Sequence, residues 1–85
     1  MVSKKVVIKF INGLHMRPAA DLVAACRPFD ADSSMLANGL KLNLKSVLGV
    51  IGAQIQHDDE VELVCSGPQE NEAMAALLHV INTER

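Results

Sequence analysis

The chain has 85 residues, 49% of them hydrophobic and 21% charged, enough apolar content for one compact domain and too little length for two. Eight basic against ten acidic residues leave a net charge of −2, which excludes strong nonspecific nucleic-acid binding through overall charge. No apolar run is long enough for a membrane span, no signal-peptide core follows the first residues, and the two cysteines, Cys26 and Cys65, make neither a disulfide scaffold nor a zinc site. A reduced, cytoplasmic chain without membrane insertion is expected.

Residues 4–10 alternate, with Val6, Ile8 and Phe10 on one side and Lys5, Val7 and Lys9 on the other. That is the pattern of a strand with one apolar face, and Lys4, Lys5 and Lys9 read as its solvated edge. Asn12-Gly13 turns the chain. From Met16 the period becomes helical, with Ala19, Leu22, Val23 and Cys26 on one stripe. Pro28 ends the helix, because the residue before a proline is pushed out of the α region. Residues 31–37 are expected to form a second strand around Met35. Asn38-Gly39 predicts a type I′ hairpin, which needs positive φ at both central positions. Leu40, Leu42 and Leu44 then alternate with Lys41, Asn43 and Lys45 in a third strand.

Ser46 is placed to cap a short helix over 47–53. Gly49 and Gly52 weaken that helix intrinsically, so packing must hold it. A polar turn at Gln56-His57-Asp58-Asp59 precedes a fourth strand with Val61, Leu63 and Cys65 on one face, which Gly67-Pro68 breaks. A last helix over about 69–82 carries Met74, Leu77, Leu78 and Ile81 on one stripe. The order βαββαβα predicts an α+β two-layer sandwich close to the split βαβ arrangement, one face of a four-stranded sheet being covered by helices. Residues 1–85 are expected to form a single domain.

The segment from Asn12 to Ala20 carries the chemistry. His15 stands where the first strand has ended and the helix has not begun, and Pro18 supports that boundary because its missing N–H would have been unpaired in the first turn anyway. A helix start presents free amides and the positive end of the dipole, which favour an anion such as phosphate. It disfavours an imidazolium, so the ring of His15 tends to stay neutral and nucleophilic near pH 7. Arg17 can add a charge-assisted hydrogen bond to a phosphoryl group. These groups suit a phosphorylatable histidine. Residue types alone leave the plainer alternative open, a polar helix end with a solvated arginine.

Gly13-Leu14-His15-Met16-Arg17-Pro18-Ala19 resembles the active-site signature of HPr, the histidine-containing phosphocarrier family of the bacterial phosphoenolpyruvate:sugar phosphotransferase system. Asn43-Leu44-Lys45-Ser46-Val47-Leu48-Gly49-Val50 resembles the family's regulatory serine and the short helix behind it. The two signatures stand at the family's separation, and the likeness covers essentially the whole chain. It implies an open-faced β-sandwich with a four-stranded antiparallel sheet. It also implies that His15 accepts a phosphoryl group from phospho-Enzyme I and passes it to sugar-specific A components. Arg17 would stabilise the phosphate within the helix-start segment that includes Met16 and Pro18. The chain would then be a carrier rather than an enzyme, with no cofactor and no metal, and it would act as a monomer. Ser46 would be a phosphorylation site for an HPr kinase/phosphorylase, giving a surface for a transcription regulator. Met16, Ala20, Arg27, Val47, Leu48 and Ile51 would form the docking surface. Two positions depart from the family's pattern. Met16 replaces a small or hydroxyl residue, and Ala24 replaces a residue that is often basic, while Arg27 keeps one cation near the helix end.

Other features read as structural. His57-Asp58-Asp59-Glu60 is expected to be a solvated acidic turn, since consecutive residues rarely converge on one ion. His79 is expected at the surface, and Cys26 and Cys65 as buried, unreactive thiols. Leu48 and Ile51 are expected to serve docking ahead of core packing. Two other classes compete with the carrier. A regulatory relative working mainly by binding through Ser46 is disfavoured by the presence of His15. A small-ligand or RNA-binding domain is disfavoured because RNA recognition wants exposed aromatics, and Phe10 and Phe29 are the only aromatic residues here.

Overall fold

The computed structural model describes residues 1–10, 13–14, 16–52 and 54–83. It contains β1 (Val2–Val7), α1 (Met16–Cys26), β2 (Asp32–Ala37), β3 (Leu40–Asn43), α2 (Val47–Gly52), β4 (Glu60–Ser66) and α3 (Glu70–Thr83). The expected order βαββαβα is the observed one. The strands form one sheet in the order β1-β4-β2-β3 with every neighbouring pair antiparallel, and the helices cover one face.

The first strand lies earlier than the alternation over 4–10, beginning at Val2 and ending at Val7. Its ladder with β4 ends at Val7 opposite Glu60, yet Ile8 and Phe10 beyond it are completely buried. Backbone bonds continue past the ladder: Ile8 N–H donates to the Asp59 carbonyl at 2.9 Å and Asp58 N–H to the Ile8 carbonyl at 2.8 Å. The inward alternation thus outlasts the strand. On the uncovered face Lys5 stands opposite Glu62, so the solvated side of this edge strand is charged, as expected.

Helix α1 buries Ala19, Leu22, Val23 and Cys26, the predicted stripe. In the hairpin after β2, Asn38 and Gly39 have φ of 53° and 78°, the signs a type I′ turn requires. Ser46 caps α2: its Oγ accepts the Gly49 N–H at 3.3 Å, and its carbonyl accepts the Val50 N–H at 3.2 Å. The buried residue of α2 is Val50. Val61, Leu63 and Cys65 of β4 face Ala73, Met74, Leu77 and Ile81 of α3 across one core. Between them Gly67 has φ of +146°, and a Cβ there would stand 2.9 Å from the Asp30 carbonyl oxygen. Glu70 turns back to accept the Gly67 N–H at 3.2 Å, closing the start of α3 as a capping box does.

Candidate functional site

The approach to α1 is built against the turn that precedes β4. Gly13 has φ of +72°, and a Cβ there would fall onto the Ile55 carbonyl oxygen and within 2.7 Å of the Gln56 Cα. Only glycine fits this position, because the conformation is left-handed and the neighbouring backbone occupies the space a side chain needs. Gly13 N–H donates to the Phe10 carbonyl at 2.9 Å, and Leu14 N–H to the Ile55 carbonyl at 2.8 Å. Leu14 itself is buried. The chain is therefore held to residues 55–56 at the position immediately before His15. His15 lies outside the described residues, as do Asn12, with which the turn was read, and Ala53, expected as the last residue of α2.

The helix begins at Met16, as predicted, and its first turn holds no acidic residue. Its amide end therefore keeps its preference for an anion undiminished by a side-chain carboxylate. Met16 is 63% exposed, Arg17 is exposed and Pro18 is buried. Among the described residues no ion pair holds Arg17, so its guanidinium is available to a ligand.

The structure splits the expected docking surface. Leu48 is 80% exposed, whereas Val47 and Ile51 are half-buried and packed against the core. Docking was expected ahead of core packing at both Leu48 and Ile51, and only Leu48 is free of the core. The reason is the short helix: with Val50 as its inward anchor, the neighbouring Ile51 turns partly inward and Leu48 points away. Helices α1 and α2 pack on each other, and Ala20 is half-buried. Arg27 follows the last residue of α1. At 1.5 Å of rise per residue it stands about 16 Å along the axis from Met16, at the opposite end of the helix.

Ser46 is exposed. It is presented by a turn in which Asn43 Oδ1 accepts the Lys45 N–H at 2.9 Å and the Asn43 carbonyl accepts the Ser46 N–H at 3.1 Å. A surface groove of about 360 Å³ lies elsewhere, lined by residues of β2 and β3 that include Ser34, Lys41 and Asn43. It contains none of the helix-start residues. Both cysteines are buried. Burial pushes the Cys26 thiol above its ordinary value, an effect that Ser33 and Lys45 partly offset. Among the described residues no group of three His, Cys, Asp or Glu side chains converges as a metal site. His79 is exposed, as expected.

Sequence reasoning missed the contribution of residues 54–59. Gln54 and Asp58 have φ of 54° and 72°. The His57 ring is tied to the Phe10 carbonyl, with Nδ1 at 3.2 Å. The local signal was a polar turn and nothing more; its partner lies 47 residues away.

A family model described as "PTS HPr component phosphorylation site" matches residues 2–83. The HPr-like protein Crh of Halalkalibacterium halodurans is 36% identical over 84 residues, covering 99% of this chain and 100% of that protein. The structure of HPr from Thermoanaerobacter tengcongensis superposes with a TM-score of 0.93 at 31% identity, covering 98% of this chain and 93% of that one. The structure of Crh from Bacillus subtilis, described as a dimer with a swapped domain, superposes with a TM-score of 0.77 at 33% identity, covering 99% and 97%.

Proposed function

The chain belongs to the HPr family of the phosphotransferase system, and from that premise we propose that it is a phosphoryl carrier whose acceptor is His15. The observation that carries this reading is the match to the family's phosphorylation-site model over residues 2–83, a span that includes the segment Gly13 to Ala19 and its histidine, His15. The described surroundings support it: a helix start without acidic residues, an exposed arginine two positions on, and a rigid approach through Gly13 and Leu14.

In the proposed step a neutral imidazole nitrogen of His15, Nδ1 by likeness to the family, attacks the phosphorus of phospho-Enzyme I. The donor's bond to phosphorus breaks as the new N–P bond forms. The first-turn amides of α1 and the Arg17 guanidinium take up charge on the phosphoryl oxygens, so the chain contributes positioning and electrostatics. The second transfer, to a sugar-specific A component, repeats the step in the other direction. The chain is a recycled reactant within residues 1–85, acting in the cytoplasm as a monomer. Because the Crh of Bacillus subtilis is described as a dimer, sedimentation of the purified protein tests the monomer. Among the described residues no helix is long and apolar enough to cross a membrane.

Incubation with phosphoenolpyruvate and Enzyme I should give an acid-labile adduct on the native chain and none on a folded His15→Ala variant. Label on that variant would defeat the assignment. A second reading, in which the protein acts mainly through binding controlled at Ser46, is favoured by the likeness to a protein named Crh. It predicts that the native chain takes up little label at His15 and is phosphorylated at Ser46 by an ATP-dependent HPr kinase.

A further inference from the structure

The His57 ring makes two contacts that the solvated turn expected from sequence does not explain. Its Nδ1 lies 3.2 Å from the Phe10 carbonyl oxygen and its Nε2 lies 3.4 Å from Asp58 Oδ1. A carbonyl can only accept, so Nδ1 carries the hydrogen and donates. The same carbonyl accepts the Gly13 N–H at 2.9 Å, so both of its lone-pair sites are in use. Phe10 is completely buried, and its carbonyl opens the segment that leads to His15.

The turn that carries His57 is itself fixed. Asp59 Oδ2 accepts the Gln56 N–H at 2.9 Å, and Asp59 N–H donates to the Gln56 carbonyl at 3.1 Å. Asp58 N–H reaches the Ile8 carbonyl, and the Ile55 carbonyl receives the Leu14 N–H. Asp58, at φ of 72°, takes a left-handed turn conformation that Asp tolerates better than most non-glycine residues. Yet the His57 side chain is 46% exposed, so it is not a core residue. A half-exposed side chain that tethers a buried carbonyl is placed to set geometry.

We infer that His57 is a positioning residue for phosphoryl transfer: its Nδ1–H, with the Gly13 amide, fixes the Phe10 carbonyl and so the backbone from which His15 is presented. This deepens the carrier reading and rests on it. The bond to Phe10 needs only the Nδ1–H, which the neutral Nδ1–H tautomer and the imidazolium both have. Asp58 and Asp59 are the charged groups of this turn, and the Lys9 ammonium beyond β1 lies 3.9 Å from Asp58.

The test compares His57→Ala, His57→Asn and His57→Gln in transfer from phospho-Enzyme I, with amide exchange at Gly13 as a second measurement. Asn places an amide donor near the position of Nδ1, and Gln places it near that of Nε2. His57→Ala should lower kcat about threefold to tenfold, the rate equivalent of one net hydrogen bond. The KM of Enzyme I for the protein should stay unchanged, because Met16 and Leu48 are untouched. The Gly13 amide should exchange faster. His57→Asn should restore the rate to within about twofold, since the donor to Phe10 is retained, and His57→Gln should not. A His57→Ala protein with native kcat and native Gly13 exchange would overturn the inference, as would equal rescue by Gln and Asn. A native chain that takes no label overturns the carrier reading, and with it the role of His57 in transfer. Labelled native protein alongside an unaffected His57→Ala overturns the positioning role alone.

Discussion

Arg17 stands exposed in the first turn of α1, with no described acidic partner. A side chain so placed adds little to folding, so Arg17→Ala should change stability by less than about 0.5 kcal/mol. The charge-assisted bonds of a guanidinium to phosphate are among the stronger ones, and the variant should transfer at least about tenfold more slowly. Parallel urea melts and transfer assays check both. A large loss of stability with native transfer would make Arg17 structural. Ser46 is the second residue whose position gives a direction. Its Oγ already caps α2 through the Gly49 N–H, and Asp caps a helix about as well as Ser. A Ser46→Asp chain should therefore melt like the native one. Its new charge stands two residues from the exposed Leu48, where it would repel an Enzyme I surface that is itself acidic. Transfer should slow roughly fivefold at low salt, the effect of about 1 kcal/mol between unit charges a few ångströms apart in water, and the effect should shrink as salt screens it. Native transfer by this variant at low salt would leave Ser46 as a cap alone.

Helix α2 shows how an element can be legible in outline and ambiguous in detail. Ser46 as its cap and the weakening glycines were evident from residue types. Which of its apolar residues faces inward was not, because six residues with four of them apolar give no clean stripe. The packing settles it: Val50 is completely buried and Leu48 is 80% exposed. Val50→Ala should cost about 2 kcal/mol, from lost burial and the cavity left behind. Leu48→Ala should stay within about 0.5 kcal/mol of native stability while weakening docking of Enzyme I. Denaturant midpoints and KM measured on both variants separate the two roles; a stability loss at Leu48 as large as at Val50 would mean that both sides of the helix are core.

At the scale of the whole molecule, the sheet order β1-β4-β2-β3 places the first strand beside the last and closes the core between sheet and helices. Cys26 lies in that core at 0% exposure. Its Sγ is 3.4 Å from the Leu44 carbonyl oxygen. Burial raises its thiol above the ordinary value of 9.0. The unfolded thiol therefore releases its proton first as pH rises. This group's contribution is complete below about pH 9 and is lost as pH climbs from there toward the folded value. The loss is at most about 1.4 kcal/mol for each pH unit separating the two states. Urea midpoints between pH 7.5 and 10 should fall more steeply for the native chain than for Cys26→Ala. Parallel curves would show that burial of this thiol has no consequence for alkaline stability.

Periodicity, turn chemistry and capping are local, and they determined the seven elements, the type I′ hairpin at Asn38-Gly39, the Ser46 cap and the apolar stripes of α1, β4 and α3. The start of α1 at Met16 was legible for the same reason, since an N-terminal turn is specified by a few adjacent residues. What the tertiary structure decided was long-range. Residue types carry no record of which strand lies beside which, of the backbone against which Gly13 is pressed, or of the inward side of α2. The partnership of His57 with a carbonyl 47 positions away is of that kind. A hydrogen bond to a backbone carbonyl demands a donor at one place and imposes no particular side chain on the residue that accepts it, so nothing at Phe10 announces its partner.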